Sequence, residues 1–196
     1  MRTASCCSSS RRWPDALSKA PILDTPEPSL NRVFAWAVER APRAVRADPG
    51  VRWADWEQDD LDALVDDARR WQRVGRHAMD DAEAVIAEVV GGLMGARADG
   101  EGGRFEVSPW IVPGWKTMAL RRLRLHRTLL DIEVRPRAEW ITCRLESTFG
   151  PPVALALSLR NVPTVARVTI DEVVLQGPRA IFTLSAEHEA VFYLGA

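Results

Sequence analysis

Residues 130–135 read Leu-Asp-Ile-Glu-Val-Arg, and this unbroken alternation of apolar and charged side chains decides the fold. Residues 141–146 repeat the pattern as Ile-Thr-Cys-Arg-Leu-Glu. An alternation of period two turns one face of a segment toward a core and the other toward water, as in a half-buried β-strand. Both segments are therefore predicted to be strands of an antiparallel sheet.

Further strand-like segments follow along the second half of the chain, at 153–159, 165–170, 172–175, 180–184 and 188–194. Turn residues separate the segments: Pro136, Gly150-Pro151-Pro152, Asn161-Val162-Pro163, Asp171-Glu172 and Gly177-Pro178. About seven short strands with regular turns are typical of a sandwich or barrel. Residues 104–196 are therefore predicted to form an antiparallel β-sandwich.

The first half of the chain carries apolar residues at helical spacing instead. Three helices are predicted there, at about 29–41, 54–74 and 79–94, with Ser29 capping the first of them. The glycine-rich residues 97–103 are predicted to be a flexible hinge. The chain thus divides into a disordered tail at 1–20, a helical segment at 21–96 and the sandwich. The fold class is α+β, with N-terminal helices followed by an antiparallel β-sandwich.

The composition narrows the classes of partner. The chain has 196 residues, is 46% hydrophobic and carries a formal net charge of −1, which is ordinary for a globular protein and favours neither nucleic acid nor an anionic membrane. No apolar run reaches the length of about 18 residues that spans a bilayer. The cysteines are three in number, Cys6, Cys7 and Cys143, which is no disulfide framework and predicts a reducing, cytoplasmic location.

No motif predicts a self-sufficient catalytic or metal site. The histidines His77, His126 and His188 have no second ligand at zinc spacing, and the acidic residues between 55 and 67 fit a solvated helix face. The basic stretch at 121–127 fits cross-strand pairing with Asp131, Glu133 and Glu139, although phosphate contact is an alternative. We therefore predict no catalytic residue, no metal and no cofactor.

Residues 105–115 read Phe-Glu-Val-Ser-Pro-Trp-Ile-Val-Pro-Gly-Trp, and this segment carries a family resemblance. It resembles the entry strand of the C-terminal β-sandwich in six-hairpin (α/α)6 glycosidases of the amylo-α-1,6-glucosidase, or glycogen-debranching, type. The resemblance extends over residues 91–195 through the segments 93–99, 120–125, 130–134 and 168–171. Residues 24–37 are in turn similar to the first helix of the catalytic barrel in the same family.

The resemblance implies a glycosidase-related chain that lacks most of the barrel. Family members carry most of the twelve barrel helices between these two segments, whereas residues 38–90 alone separate them here. The family hydrolyses glycosides with a pair of carboxylates held on barrel loops. Those loops are missing, so the resemblance implies no catalytic residue for this chain, and whether it is an enzyme stays open.

Tryptophan is abundant, with eight residues in the chain. Sugar rings stack on exposed aromatic faces, because their axial C–H groups meet the electron-rich ring face. Trp110, Trp115 and Trp140 in the β half are therefore candidate substrate-binding residues. Trp140 shares a strand face with Thr142 and Arg144 and is expected to be exposed. The alternative for Trp110 and Trp115 is packing between the helices and the sandwich.

Three functions remain open from the sequence. The first is a non-catalytic accessory or truncated domain of a glycogen-debranching-like glycoside hydrolase. The second is an interaction module that uses exposed apolar helix faces to bind another chain supplying a barrel, or a second copy of itself. The third is an independent carbohydrate-binding module for α-glucan.

Overall fold

The computed structural model describes residues 20–45, 56–74, 81–99 and 104–195. The predicted disordered tail, except for Ala20, lies outside these residues, as do Cys6, Cys7 and His77. The predicted hinge is described only at its start, where Arg97–Asp99 form a strand. This strand corrects the prediction of a hinge at 97, because three residues that read as a linker pair with the strand that follows them.

Three helices occupy the first half of the chain, as predicted. Helix α1 spans Pro28–Arg40 and helix α2 spans Gln58–Val74. Glu27, rather than the predicted Ser29, caps α1, because its carboxylate accepts a hydrogen bond from the amide of Ser29 at 3.3 Å. Asp81 caps helix α3, which spans Ala82–Ala87.

The third helix departs from the prediction in its second half. Residues Glu88–Leu93 continue α3 as a π-helix, in which the amide of Met94 reaches back five residues to the carbonyl of Val89 at 3.0 Å. The segment contains Gly91 and Gly92, whose weak α-helical preference permits the wider turn. The π-helix ends at Leu93, and Gly95, two residues later, has a positive φ of 59°.

The strands form two sheets. Their bounds are β1 Ile22–Asp24, β2 Arg97–Asp99, β3 Arg104–Val107, β4 Met118–Leu125, β5 Thr128–Pro136, β6 Trp140–Phe149, β7 Val153–Leu157, β8 Val165–Ile170, β9 Val173–Leu175, β10 Ala180–Leu184 and β11 Glu187–Leu194. Sheet A has seven strands in the order β1-β4-β5-β6-β11-β8-β9, and sheet B has four in the order β10-β7-β3-β2. The α+β class is confirmed.

Two pairings could not be read from the sequence. Strand β1 precedes the helices, yet it pairs antiparallel with β4 and so belongs to sheet A. Strands β3 and β7 of sheet B run parallel, with Phe105 opposite Leu155, whereas the other described pairs of strands are antiparallel. Strand β1 therefore lies within residues 21–96, the segment that also contains the helices.

One hydrophobic core joins the helices to both sheets. Phe34 from α1, Leu93 from the π-helix and Phe192 from β11 are fully buried in the same cluster. Cys143 of β6 is also fully buried, and the burial raises the pKa of its thiol to about 12. Within the described residues, no helix is both long and apolar enough to cross a bilayer.

Candidate functional site

Helix and sandwich meet at a ladder of backbone hydrogen bonds. The amides of Ser108 and Trp110 donate to the carbonyls of Gly95 and Leu93, at 3.2 and 2.8 Å. On the other side of the same segment, the amide of Arg160 donates to the carbonyl of Pro109 at 3.0 Å. The segment after β3 is thus held between the end of the π-helix and the residues that follow β7.

Arg160 occupies the centre of this junction. Its Nε donates to the carbonyl of Ser108 at 2.7 Å, and its terminal nitrogen donates to the carbonyl of Gly92. Its guanidinium carbon lies 5.7 Å from the ring centroid of Trp56 and 5.6 Å from that of Trp110. Burial, followed by the positive charge of Arg97, lowers the pKa of Arg160 to about 10.

A cavity of about 190 Å³ opens beside Arg160, and we call it the junction cavity. Its lining consists of Gly95, Arg97, Glu106, Ser108, Ser158, Arg160 and Arg179. Glu106 forms ion pairs with both Arg97 and Arg179. The lining therefore holds three guanidinium groups and one carboxylate, a formal charge of +2.

Trp110, a predicted site residue, lies at the same junction. Its ring meets Trp56 edge-to-face with centroids 5.4 Å apart, and its Nε1 lies 3.4 Å from the amide oxygen of Gln58 on α2. Trp115 is half-buried against the main core, in the loop that leads to β4. Trp110 thus contacts residues of the helical half, and Trp115 contacts the main core.

Trp140 lies on a different surface, the outer face of sheet A. Its side chain is 40% exposed, which confirms the predicted exposure. In the register of β6 and β11 it stands directly opposite Tyr193, and in the register of β11 and β8 Tyr193 stands opposite Arg167. The guanidinium carbon of Arg167 lies 4.0 Å from the ring centroid of Tyr193. We call Trp140, Tyr193 and Arg167 the outer aromatic row.

An acidic groove of about 360 Å³ lies between α2 and α3. Its carboxylates are Asp60, Asp67, Asp81 and Glu88. Three of them make structural hydrogen bonds: Asp60 with the amide of Glu57, Asp81 with the start of α3, and Glu88 with Nε1 of Trp56 at 2.7 Å. The groove therefore has a structural explanation, and its carboxylates form no recognisable pair of acid and base.

His188 and the basic stretch also have local partners. Nδ1 of His188 lies 2.6 Å from a carboxylate oxygen of Asp171, and its ring lies beside Phe182. Arg121 lies 3.8 Å from Asp131, as cross-strand pairing predicts for the basic stretch. Among the described residues, no group of three or more histidine, cysteine, aspartate or glutamate side chains is arranged to hold a metal ion.

Several residues of these sites escaped the sequence analysis. Tyr193 belongs to a predicted strand, but only the pairing of β6 with β11 brings it to Trp140. Arg97, Arg160 and Arg179 meet through the sheet B pairings and share no local motif. Nothing in the sequence distinguishes these three arginines from the rest of the 26 lysine and arginine residues in the chain.

Several solved structures show a partial likeness to this chain, among them two enzymes that act on glycosides. No family model and no curated protein matches the chain. An α-L-rhamnosidase from Dictyoglumus thermophilum superposes with a TM-score of 0.41 and 12% identity, over 57% of this chain and 13% of that one. A GH30 endoxylanase from Clostridium papyrosolvens C71 superposes with a TM-score of 0.28 and 9% identity, over 43% of this chain and 25% of that one. These superpositions are too partial to transfer a function, so a function has to follow from the residues of this chain.

Proposed function

We propose that this chain is a non-catalytic accessory domain of the glycogen-debranching-type glycoside hydrolase class, and that it binds α-glucan through the outer aromatic row. The observation that carries the proposal is the position of Trp140, an exposed residue whose cross-strand partner on the neighbouring strand is a second aromatic residue, Tyr193. The choice of α-glucan as the polymer rests on the resemblance of residues 105–115 to the sandwich of the glycogen-debranching family.

The row has the shape that sugar stacking requires. Side chains directly opposite on antiparallel strands have Cβ atoms about 5 Å apart, so the exposed indole of Trp140 and the half-buried ring of Tyr193 are neighbours on the outer face of sheet A. The C–H face of a pyranose is apolar, and it covers such a surface while its hydroxyls stay in water. Exposed aromatic side chains that lie together on a rigid sheet are therefore suited to an extended glycan.

Polar groups around the row can bind the hydroxyls at the rim of a sugar ring. Arg167 is exposed and its guanidinium group lies over the ring of Tyr193, so its N–H donors are part of this surface. Thr142 follows Trp140 on the same face of β6, where its side chain is half-buried. Both residues would form hydrogen bonds with the hydroxyls of an uncharged sugar.

Affinity electrophoresis in gels containing glycogen, together with calorimetric titration of maltoheptaose, tests the proposal. Trp140→Ala and Tyr193→Ala should each weaken binding roughly tenfold, because each removes a stacking face worth on the order of 1 kcal/mol or more. Tyr193→Phe should bind like the wild type, because the ring remains. Ile181→Ala is the matched control, since Ile181 is an exposed apolar residue on sheet B, outside the outer aromatic row.

Each result has a definite meaning. Loss in the two alanine variants, with binding kept by Tyr193→Phe and Ile181→Ala, would support the glucan surface. No retardation of the wild type by glycogen would refute it. Incubation of the chain with a branched α-glucan should release no reducing sugar if the domain is non-catalytic.

A second candidate function is binding of a partner chain. The apolar stripes of the helices, for example Leu30, Phe34, Leu61 and Val89, are buried in the protein's own core, so they are not the surface for it. The exposed apolar residues Val173 and Val174 lie instead on β9, a terminal strand of sheet A. Size-exclusion chromatography with light scattering tests this candidate: a dimer that Val174→Lys converts to a monomer would favour it.

A further inference from the structure

We propose that the junction cavity is a binding site for a phosphate or sulfate group. Its guanidinium groups come from three separate parts of the chain, namely Arg97 on β2, Arg160 after β7 and Arg179 before β10. The inference is independent of the proposed glucan surface, because no residue of the outer aromatic row lines the cavity.

The charge of the lining favours an anion. Glu106 neutralises one of the three guanidinium charges and leaves a formal +2 in the lining. Burial, and after it the positive charge of Arg97, lowers the pKa of Arg160, so these two guanidinium groups repel each other. A phosphate group carries a charge of about −1.5 to −2 near pH 7, which matches the residual charge and would remove this repulsion.

The donors of the site are held in position before any ligand binds. Two carbonyls fix Arg160, and the Glu106 carboxylate holds Arg97 and Arg179 on either side. The planar guanidinium group presents several N–H donors and suits tetrahedral oxyanions. A preorganised set of donors loses little side-chain entropy on binding.

Two serine hydroxyls complete the lining. Ser108 and Ser158 are hydrogen-bonded to each other at 3.1 Å, and in such a pair one hydroxyl keeps its proton for a further acceptor. The cavity of about 190 Å³ compares with about 30 Å³ for one water in the liquid. It therefore has room for a tetrahedral oxyanion and some water.

Titration of the full chain with inorganic phosphate tests the site. Binding is followed by calorimetry and by amide chemical shifts, with sodium chloride at equal ionic strength as the reference. Arg97→Gln and Arg179→Gln should each weaken phosphate binding roughly tenfold, because each removes a charge-assisted donor. The matched control is Arg135→Gln, since Arg135 is an exposed arginine paired with a glutamate on sheet A and lies outside the cavity.

Glucose 6-phosphate and glucose distinguish the source of the phosphate. Tighter binding of glucose 6-phosphate than of inorganic phosphate would identify a sugar phosphate as the ligand class, and equal binding would identify the free anion. Both results support the site. Binding of glucose that equals binding of glucose 6-phosphate would overturn it, because the phosphate group would then contribute nothing.

Titration of the wild-type chain with phosphate tests the site even if a variant does not fold. Phosphate-dependent shifts centred on the amides of Gly95, Ser108 and Ser158 support the site. Equal effects of phosphate and chloride, shifts elsewhere in the chain, or an equal loss of affinity in Arg135→Gln would overturn it.

Discussion

Replacing Gly92 by alanine tests how tightly the helices are joined to the sandwich. A Cβ atom built on Gly92 would lie 2.4 Å from Nε1, 2.7 Å from Cε2 and 2.9 Å from Cδ1 of Trp56. These contacts are far shorter than van der Waals separation, so the indole has to move. It cannot move freely, because its Nε1 donates to Glu88 at 2.7 Å and its ring packs edge-to-face with Trp110.

The magnitude follows from what the displaced indole loses. A hydrogen bond to a charged carboxylate contributes about 1.5–3 kcal/mol, and an aromatic pair about 0.5–1.5 kcal/mol. Alanine regains up to about 1 kcal/mol over glycine through its better helical preference. The net loss in the free energy of unfolding is therefore about 1–3.5 kcal/mol. In a chain of this size, a loss of about 2 kcal/mol lowers the Tm by roughly 4–8 °C.

Urea unfolding and thermal scans of four proteins provide the assay: the wild type, Gly92→Ala, Trp56→Ala and the double variant. Gly92→Ala should be less stable than the wild type. In the Trp56→Ala background the same substitution should instead be neutral or stabilising, because the clashing ring is gone. A Gly92→Ala protein as stable as the wild type would refute the reasoning, as would an equal loss in both backgrounds.

Three further predictions concern single positions. Gly95→Ala should lose about 2–4 kcal/mol in urea unfolding, since Gly95 has a φ of 59° and its Cβ would lie 2.2 Å from the carbonyl oxygen of Ser108; an unchanged midpoint would contradict this. The amide of Glu189, and then His188, help to lower the pKa of Asp171, so the stabilisation is present above the unfolded pKa of about 3.9 and is lost as the pH falls through the folded value. Asp171→Asn should therefore destabilise the protein at about pH 7 and have little effect at about pH 2, and equal losses in urea unfolding at both pH values would be inconsistent with the carboxylate's role. In a Cys6→Ser, Cys7→Ser background, the buried Cys143 should react with a thiol reagent only after denaturation, and rapid native labelling would show that β6 opens.

Strands could be predicted well because their signal is local. The segment 165–170 was predicted from its own residues, and β8 has these same bounds. In a strand with one face against the core, apolar and polar residues alternate, so consecutive residues alone are enough to predict it. The exposure of Trp140 followed from the same argument, since it shares its face with polar side chains of β6.

Pairing between distant segments could not be predicted, and the sites depend on it. β1 and β2 are each only three residues long, too short to show a period, and they exist because a partner strand offers hydrogen bonds. The π-helix likewise forms where Gly92 meets Trp56, a contact between distant residues. Tyr193 and the arginines of the junction cavity were missed because only non-local pairing brings them to their neighbours.

The short strand β1 is one edge of sheet A and covers the longer strand β4. Through Ile22–Asp24 it covers part of the backbone of β4, a strand of eight residues with Met118, Leu120 and Leu123 buried on its inner face. An uncovered strand of this length offers free amides and carbonyls to other chains and promotes aggregation. At the opposite edge of sheet A, β9 has only three residues and so offers fewer backbone groups than β4 for another chain to pair with. A protein shortened to begin at α1 would therefore lose one core side chain, Leu23, and gain an edge that can pair with strands of neighbouring molecules, so the solubility of the protein depends on these three residues.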